Sequence, residues 1–239
     1  MTSRREFLAA SAAAVAVARF PSPPLPEPAM AGNIVLFQGD SITDAGRNRS
    51  RSGANDVAAL GSGYPLLLAA ELRERHPARE LQIFNRGVSG NTVPDLQARW
   101  QADTVALAPA ILSILIGVND IWHTRAKTFA GTAATYEAAY AALLASTRSA
   151  LPTVKLVVLE PFVTRVGVVD GSWFPEFDDY RAAARRVAKG AGATFVPLHD
   201  LLQDLGKKSS PAYWAADGVH PTLAGHQAIA RQWLKVVKI

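Results

Sequence analysis

The sequence predicts an α/β protein, in which a mostly parallel sheet of five strands is covered by helices as a three-layer α/β/α sandwich. Short apolar runs typical of buried strands alternate with segments whose apolar residues recur at helical spacing. This alternation favours parallel strands joined by helices on both faces of the sheet. The length of 239 residues, with 49% hydrophobic and 19% charged residues, suits a single domain with a full-sized core.

Each predicted element follows from a local pattern. Strands are expected where runs of β-forming residues end at a turn signal, at 34–37, 81–84, 111–116, 156–159 and 194–197. Helices are expected over the five apolar stripes with helical spacing, whose first apolar residues are Tyr64, Val93, Tyr136, Phe177 and Ile229. The segments 44–63 and 163–175 show neither pattern, and loops of that length are typically functional or disordered. Because both leave the carboxyl ends of strands, we expect them to wall a binding site.

Residues 1–31 have the composition of an export signal. The paired Arg4 and Arg5 precede an alanine-rich apolar stretch, prolines follow, and a small-x-small end favours cleavage after Ala31. The paired arginines resemble the twin-arginine type, which implies the twin-arginine export machinery as a partner and a periplasmic or extracellular location. The alternative is an amphipathic helix, against which the prolines argue. The folded domain is then expected to span 32–239.

The composition excludes several kinds of chemistry. The chain has no cysteine, so disulfides, thiolate metal sites, a cysteine nucleophile and a lipid anchor on cysteine are excluded. The net charge of +5 is modest, and basic residues are mixed with acidic ones, so we expect no nucleic-acid partner. The chain has no uninterrupted apolar run of the roughly 20 residues that cross a bilayer, so we expect no membrane span.

The stretch Gly39-Asp40-Ser41 closes the first apolar run. It places Ser41 at the carboxyl edge of the predicted sheet, where α/β proteins bind ligands. A serine hydroxyl is a poor nucleophile until a base takes its proton, so a base is required elsewhere. The alternative is that Ser41 only caps a following helix. The tripeptide alone does not decide between the two interpretations.

A second candidate stretch runs from Asn85 to Thr92, between the second strand and a helix. A glycine at position 90 lets the backbone approach a ligand closely, and its N–H would serve as a donor to a developing oxyanion. The alternative is a plain strand-to-helix turn that Asn91 or Thr92 caps. By itself, this stretch favours the plain turn.

The third stretch, Gly117 to Asp120, closes the most apolar strand of the chain. Asn119 at that edge can point its amide N–H₂ group into a cleft. An Asn-Asp pair is also common in turns, so the two interpretations are evenly matched.

The fourth stretch, Asp217 to Pro221, holds an aspartate three residues before a histidine. Pro221 suits the first turn of the final helix, which leaves His220 just outside that helix. The spacing lets the carboxylate of Asp217 face the imidazole and orient it. A lone histidine is more often structural, but this pair in a loop is a sharper signal.

Together, the four stretches resemble the SGNH-hydrolase superfamily, also called GDSL esterases. The matching blocks are Gly39-Asp40-Ser41-Ile42, Gly90, Gly117-x-Asn119-Asp120 and Asp217-x-x-His220. They occur in the family's order and at the expected ends of elements, and the match covers residues 33–237. The resemblance implies a five-stranded, flavodoxin-like SGNH-hydrolase fold for the domain 32–239.

The resemblance also implies the roles of the site residues. Ser41 would be the nucleophile, His220 the general base, and Asp217 the group that orients His220. The backbone N–H groups of Ser41 and Gly90 and the side chain of Asn119 would form the oxyanion hole. The mechanism of this family requires neither a metal nor a cofactor.

Longer blocks at 41–47, 60–64, 87–100 and 117–122 resemble the subgroup that contains acetylxylan esterases. This implies an acetylated carbohydrate as substrate, with acetylxylan or xylo-oligosaccharide favoured, and it leaves a homo-oligomer open. Two segments near the cleft, around Ala45 and at 213–216, depart from the subgroup pattern and bear on the identity of the sugar. Residues expected to support the site or contact substrate are Asp40, Asp44, Arg47, Asn91, Asp120, Trp122 and Trp214.

Three alternatives stay open at this point. One is a GDSL-type lipase or thioesterase that acts on longer acyl chains, although the polar 44–63 loop favours a small acyl group. Another is a deacetylase of a different sugar, such as pectin, rhamnogalacturonan or an amino sugar. The last is a non-catalytic carbohydrate-binding protein, which would tolerate loss of Ser41, Asn119 or His220, whereas all three are present.

Overall fold

The computed structural model describes residues 32–239, so the proposed signal peptide at 1–31 lies outside the described part of the chain. The described residues contain a parallel sheet of five strands in the order β2-β1-β3-β4-β5. The strands are β1 (Ile34–Gly39), β2 (Gln82–Asn85), β3 (Ile111–Leu115), β4 (Lys155–Leu159) and β5 (Thr194–Val196). This order is the flavodoxin-like one, with a switch point beside β1. The predicted fold class is confirmed.

Helices cover the sheet on both faces. Within residues 32–239 they are α1 (Ser41–Asp44), α2 (Val57–Leu60), α3 (Tyr64–Arg75), α4 (Val93–Asp103), α5 (Val118–Arg125), α6 (Ala133–Ala150), α7 (Glu176–Gly190), α8 (His199–Lys208), α9 (Pro211–Trp214) and α10 (Leu223–Val236). Short 3₁₀ helices lie at Pro77–Arg79, Val105–Leu107 and Gly171–Trp173. Helix α3 packs against α10, whereas α4 and α7 both pack against α6, which gives the two helical layers.

The apolar patterns of the sequence coincide with the buried faces. All five residues of β3 are buried, as expected for a central parallel strand covered on both sides. The stripe of α3 buries Tyr64, Leu68 and Leu72 against the sheet. The five predicted strands are confirmed, with bounds that differ by one or two residues. No helix within residues 32–239 is long and apolar enough to cross a bilayer.

Three local features differ from the sequence pattern. The eight-residue α5 begins directly after Gly117, where the pattern predicted no helix because the site residues interrupt the apolar stripe. The pattern also did not predict α8. The final helix begins at Leu223 with Thr222 as its cap, so Pro221 lies before the helix rather than in its first turn. The Thr222 hydroxyl accepts the N–H of Gly225 and thereby sets this start.

Candidate active site

Ser41, His220 and Asp217 form one continuous chain of hydrogen bonds. Ser41 Oγ lies 2.8 Å from His220 Nε2, and His220 Nδ1 lies 2.7 Å from Asp217 Oδ2. Because a carboxylate can only accept, Nδ1 carries the proton of a neutral ring and Nε2 is left to accept from the serine. The structure therefore joins two residues that are 179 positions apart in an arrangement that can move a proton from a hydroxyl to an imidazole.

The loop that carries Asp217 holds the carboxylate toward the imidazole. Asp217 Oδ1 accepts the backbone N–H groups of Val219 at 2.9 Å and of His220 at 2.7 Å. Burial raises the pKa of this carboxyl, but the hydrogen bonds from the ring and backbone of His220 and from Val219 outweigh it and lower the pKa overall. Asp217 is therefore ionised at neutral pH and can stabilise a protonated His220.

The end of β1 delivers Ser41 to the edge of the sheet. Gly39 has a φ of +154°, and a Cβ at this position would lie 2.3 Å from the backbone oxygen of Leu115. Only glycine allows β1 to run this close to β3 before the chain turns. Asp40 then caps α1 by accepting the N–H of Ile42 at 2.9 Å. Ser41 follows as the first residue of this helix, and its half-buried hydroxyl faces His220.

The three expected oxyanion donors lie at this same edge of the sheet. Within residues 32–239, the backbone N–H groups of Ser41 and Gly90 donate to no other group. Gly90 has a φ of +84°, which glycine adopts without strain. The side-chain amide of Asn119 donates one hydrogen to the carbonyl of Asn91 at 3.1 Å, which leaves its second hydrogen free. This bond attaches the start of α5 to the loop that holds Gly90.

Asp44 and Arg47 join the loop after β1 to the loop after β2. Asp44 Oδ2 accepts both the backbone N–H and the hydroxyl of Ser89 at 3.0 Å. Arg47 is buried and donates Nε–H to the carbonyl of Gly87 at 2.7 Å. Both residues therefore support the loop that carries Gly90, whereas the sequence left support and substrate contact open for each of them.

Asp40 and Asp120 are buried carboxyls behind the site. Burial raises the pKa of each to about 7. Asp120 Oδ1 accepts the N–H of Val93 at 3.1 Å and so connects α5 with α4. The second oxygen of each carboxyl has no hydrogen-bond partner within the described residues. Asp40 therefore fixes the start of α1, and Asp120 fixes the start of α5 against α4.

Arg99 is a residue that the sequence analysis did not single out. Its guanidinium donates to Asn91 Oδ1 at 2.8 Å and to the carbonyls of Arg86 and Gly39 at 2.8 and 3.3 Å. It thus contacts the last residue of β1, the chain after β2 and the residue that accepts from Asn119. Arg99 lies two turns into α4, and no pattern in the sequence indicated this role.

The two tryptophans expected near substrate lie in different places. The ring of Trp122 is 6.1 Å from the ring of His220 and 5.9 Å from that of Trp173, so it stands beside the site. Trp214 instead lines a separate groove with Leu201 and Leu205. Its indole N–H donates outside the cleft, to the Ser209 hydroxyl at 2.7 Å, because α9 packs back onto α8.

A cleft of about 530 Å³ opens beside Ser41 and His220. Its lining is largely small or polar: Ser41, Ile42, Ala45, Gly46, Ser62, Ser89, His220, Pro221, Leu223 and His226. Burial, followed by the nearby His220, lowers the pKa of His226 to about 4. His226 is therefore neutral, and its Nδ1 accepts the N–H of Tyr64 at 3.2 Å. Within residues 32–239, no group of three His, Cys, Asp or Glu side chains is placed to hold a metal ion.

Comparisons with known proteins agree with this fold and with the motifs at the site. The model of the GDSL-like Lipase/Acylhydrolase family matches residues 37–228. The acetylxylan esterase of Geobacillus stearothermophilus is 35% identical over 208 residues, which cover 86% of this chain and 94% of that protein.

Solved structures extend the likeness to three dimensions. A putative GDSL-like lipase from Parabacteroides merdae is 43% identical, with a TM-score of 0.83 over 85% of this chain and 94% of its own. An α/β hydrolase enzyme from the metagenome of Lake Arreo is 37% identical, with a TM-score of 0.78 over 86% and 95%. The crystal structure of the Geobacillus stearothermophilus acetylxylan esterase is 33% identical, with a TM-score of 0.77 over 88% of this chain and 96% of its own. The chain therefore belongs to the GDSL-like lipase/acylhydrolase family of SGNH hydrolases, and it is a carboxylic ester hydrolase.

Proposed function

We propose that this hydrolase removes acetyl groups from acetylated carbohydrate, with acetylxylan or its oligosaccharides as the favoured substrate. The observation that carries the chemical part is the unbroken hydrogen-bond chain from Ser41 through His220 to Asp217, with steps of 2.8 and 2.7 Å. The substrate part draws on likeness to a relative named an acetylxylan esterase and to a structure named an acetyl-xylooligosaccharide esterase.

The reaction proceeds in two acyl-transfer steps. His220 Nε2 accepts the Ser41 proton while Oγ attacks the acetyl carbonyl carbon, and the carbonyl oxygen becomes an oxyanion. The C–O bond to the sugar then breaks, and His220 returns the proton to the departing sugar oxygen. Water repeats the sequence on the acetyl-Ser41 ester and releases acetate. Asp217 holds the imidazole in the required tautomer and stabilises its charged form.

The oxyanion receives hydrogen bonds from the N–H groups of Ser41 and Gly90 and from the free amide hydrogen of Asn119. These donors are fixed before substrate arrives, because Asn119 is held by Asn91 and the Gly90 loop is held by Asp44. Preorganised donors of this kind each contribute a factor of about 10²–10³ to the rate.

The shape of the site favours a small acyl group and a larger hydrophilic alcohol. The cleft of about 530 Å³ is lined by small and hydroxyl-bearing residues, such as Ala45, Gly46 and Ser62, and this surface suits a sugar. Trp122, backed by Trp173, stands beside His220 outside that lining, and we propose that it limits the length of the acyl group. A lipase would need an open apolar groove for the acyl chain.

The test is acetate release from acetylated xylan, pectin and amino-sugar substrates, together with hydrolysis of acetyl and octanoyl nitrophenyl esters. We expect the highest kcat/KM on acetylated xylo-oligosaccharide, preference for acetyl over octanoyl, and loss of turnover in Ser41→Ala. A preference for octanoyl would instead identify a lipase-like enzyme. Full activity of Ser41→Ala would refute the mechanism. Ser149→Ala, on the exposed surface of α6, is the control.

We also propose that the protein is exported through the twin-arginine machinery and acts in the periplasm or outside the cell. The paired Arg4 and Arg5, the apolar stretch and the small-x-small end at Ala31 support this proposal. Replacing both arginines by lysine should leave the precursor inside the cell, whereas the unchanged chain should be recovered, shortened, in the exported fraction. Equal export of the two would refute the proposed route.

A further inference from the structure

The segment 164–168, which follows β4, packs backbone to backbone against the turn that carries Asp217. The N–H of Thr164 donates to the carbonyl of Gly218 at 2.8 Å, and the N–H of Val168 donates to the carbonyl of Asp217 at 3.0 Å. Two hydrogen bonds from one short segment therefore hold two consecutive peptide groups beside the carboxylate that orients His220.

Two glycines make this close approach possible. Gly167 has a φ of +63°, and a Cβ there would lie 2.6 Å from Asp217 Cα and from its carbonyl oxygen. Gly218 has a φ of +93°, and a Cβ there would lie 2.4 Å from the carbonyl oxygen of Val166. Non-bonded carbon and oxygen atoms do not approach this closely, so a side chain at either glycine would push the two backbones apart.

The turn of Asp217 lies near the surface, so backbone contacts from the segment 164–168 matter for its position. The side chains of Asp217 and His220 remain 38% and 43% exposed, so core packing does not fix them. Two other backbone hydrogen bonds of this loop are local, from the N–H of Gly218 to the carbonyl of Ala215 at 3.2 Å and from the N–H of Thr222 to the carbonyl of Trp214 at 3.0 Å. Without an external contact, the carboxylate would share the mobility of an exposed loop.

The segment 164–168 is itself anchored to the rest of the fold. The carbonyl of Val163, just before it, accepts from the Gln203 side chain of α8 at 2.9 Å. The carbonyl of Val168 accepts from the indole N–H of Trp173 at 3.1 Å. Arg125 of α5 then holds the same loop through the carbonyl of Ser172 at 2.9 Å. The segment therefore connects the Asp217 turn to two helices of the domain.

We infer that the segment 164–168 is a clamp that positions Asp217 for catalysis, and that Gly167 is a positioning residue of the esterase reaction. The inference rests on the proposed Ser41–His220–Asp217 mechanism. A displacement of about 1 Å at a site that orients a reacting group costs on the order of 10²-fold in rate. A side chain that separates the two backbones at Gly167 displaces the carboxylate by a distance of this order.

The test compares Gly167→Ala with Gly192→Ala. The two glycines have nearly the same φ, +63° and +61°, so an alanine meets left-handed strain at each. They differ in surroundings, because a Cβ at Gly192 would meet nothing within 4 Å. Gly192 also precedes β5, at the end of the sheet opposite Ser41. The comparison therefore separates displacement of Asp217 from backbone strain.

We expect kcat of Gly167→Ala on nitrophenyl acetate to fall about 10²-fold with KM nearly unchanged. An unchanged KM would show that the substrate still binds while the groups that react with it are displaced. Gly192→Ala should retain the unchanged chain's kcat and KM.

The outcomes separate this inference from the proposed mechanism. If Gly167→Ala behaves as Gly192→Ala does while Ser41→Ala is inactive, the clamp is refuted and the mechanism stands. If Ser41→Ala is active, the mechanism itself is refuted. If Gly167→Ala does not fold, Trp173→Phe decides, because it removes the hydrogen bond to Val168 and keeps an aromatic ring in place. A severalfold loss of kcat with KM nearly unchanged supports the clamp, and an unchanged kcat overturns it.

Discussion

Arg99 donates Nε–H to Asn91 Oδ1 at 2.8 Å, and the backbone carbonyl of Asn91 accepts the side-chain amide of Asn119 at 3.1 Å. Asn91 therefore stands between a guanidinium fixed on α4 and the amide proposed to stabilise the oxyanion. The same guanidinium holds the carbonyl of Gly39, two residues before Ser41. One arginine thus links the nucleophile's strand with two of the proposed oxyanion donors, Gly90 and Asn119.

This relationship predicts that Arg99 is needed for the rate rather than for substrate binding. In Arg99→Lys, a point charge replaces a planar fork that contacts several acceptors, so the loops should lose their relative positions. We expect kcat on nitrophenyl acetate to fall about 10–10²-fold, with KM within about twofold. Arg75→Lys, on the exposed side of α3, is the matched control and should keep its kcat. A change confined to KM would contradict the prediction.

Asn119 provides a second test of the oxyanion site. Asn119→Ala removes the free amide hydrogen, so kcat should fall by about 10²–10³ while KM changes little. Steady-state kinetics on acetyl esters measure this directly. Asn48→Ala, in the exposed part of the 44–63 loop, serves as the control. Retention of full kcat in Asn119→Ala would exclude this side chain from the oxyanion hole.

Trp122 is predicted to limit the length of the acyl group. Its ring stands 6.1 Å from that of His220, and Trp173 supports it from behind. Trp122→Ala should raise the octanoyl-to-acetyl ratio of kcat/KM by about tenfold or more, because each further buried methylene contributes about 0.8 kcal/mol. Trp214→Ala, whose indole faces another groove, should leave that ratio unchanged. An unchanged ratio in Trp122→Ala would mean that the acyl chain lies elsewhere.

The buried carboxyl of Asp120 predicts a dependence of stability on pH. Burial raises its pKa from 3.8 to about 7 in the folded protein, so between these values the folded state binds a proton that the unfolded state releases. Its contribution to stability is therefore present in full at low pH and is lost as pH rises through about 7. Asp120→Asn cannot ionise, so its Tm relative to the unchanged chain should be higher at pH 8 than at pH 5.

Thermal unfolding at these two pH values measures the effect. Asp179→Asn, which changes an exposed carboxylate of α7, is the control. The difference between its Tm and that of the unchanged chain should be the same at pH 5 and at pH 8. A Tm difference for Asp120→Asn that is equal at the two pH values would show that Asp120 is ionised in the folded state.

Much of the fold could be predicted because its determinants are local. The apolar runs that became β1 and β3 are continuous in the sequence, and the stripe from Tyr64 has helical spacing. The pattern did not predict α5, because Asn119, Asp120 and Trp122 serve the site rather than a periodic apolar face. The largest departures from local pattern therefore occur where the chain contributes to the active site.

The candidate site was predictable only as a set of residue types at the ends of elements. The sequence placed Ser41, Gly90 and Asn119 after three strands, and parallel strands bring such ends to one edge. It gave no indication that Trp214 faces a different groove or that Arg99 connects the loops. Those contacts depend on how helices pack across long separations in the chain.

The sequence by itself determined the alternation of strands and helices, the family motifs and the residue types available for acyl transfer. The tertiary structure alone decided that Ser41 Oγ meets His220 across 179 residues, and that Gly167 supports the turn of Asp217. It also decided that burial shifts the pKa of Asp40 and Asp120 to about 7. The physical reason is that periodicity and turn chemistry act over a few neighbouring residues, whereas distance, burial and electrostatic environment arise only when the whole chain has packed.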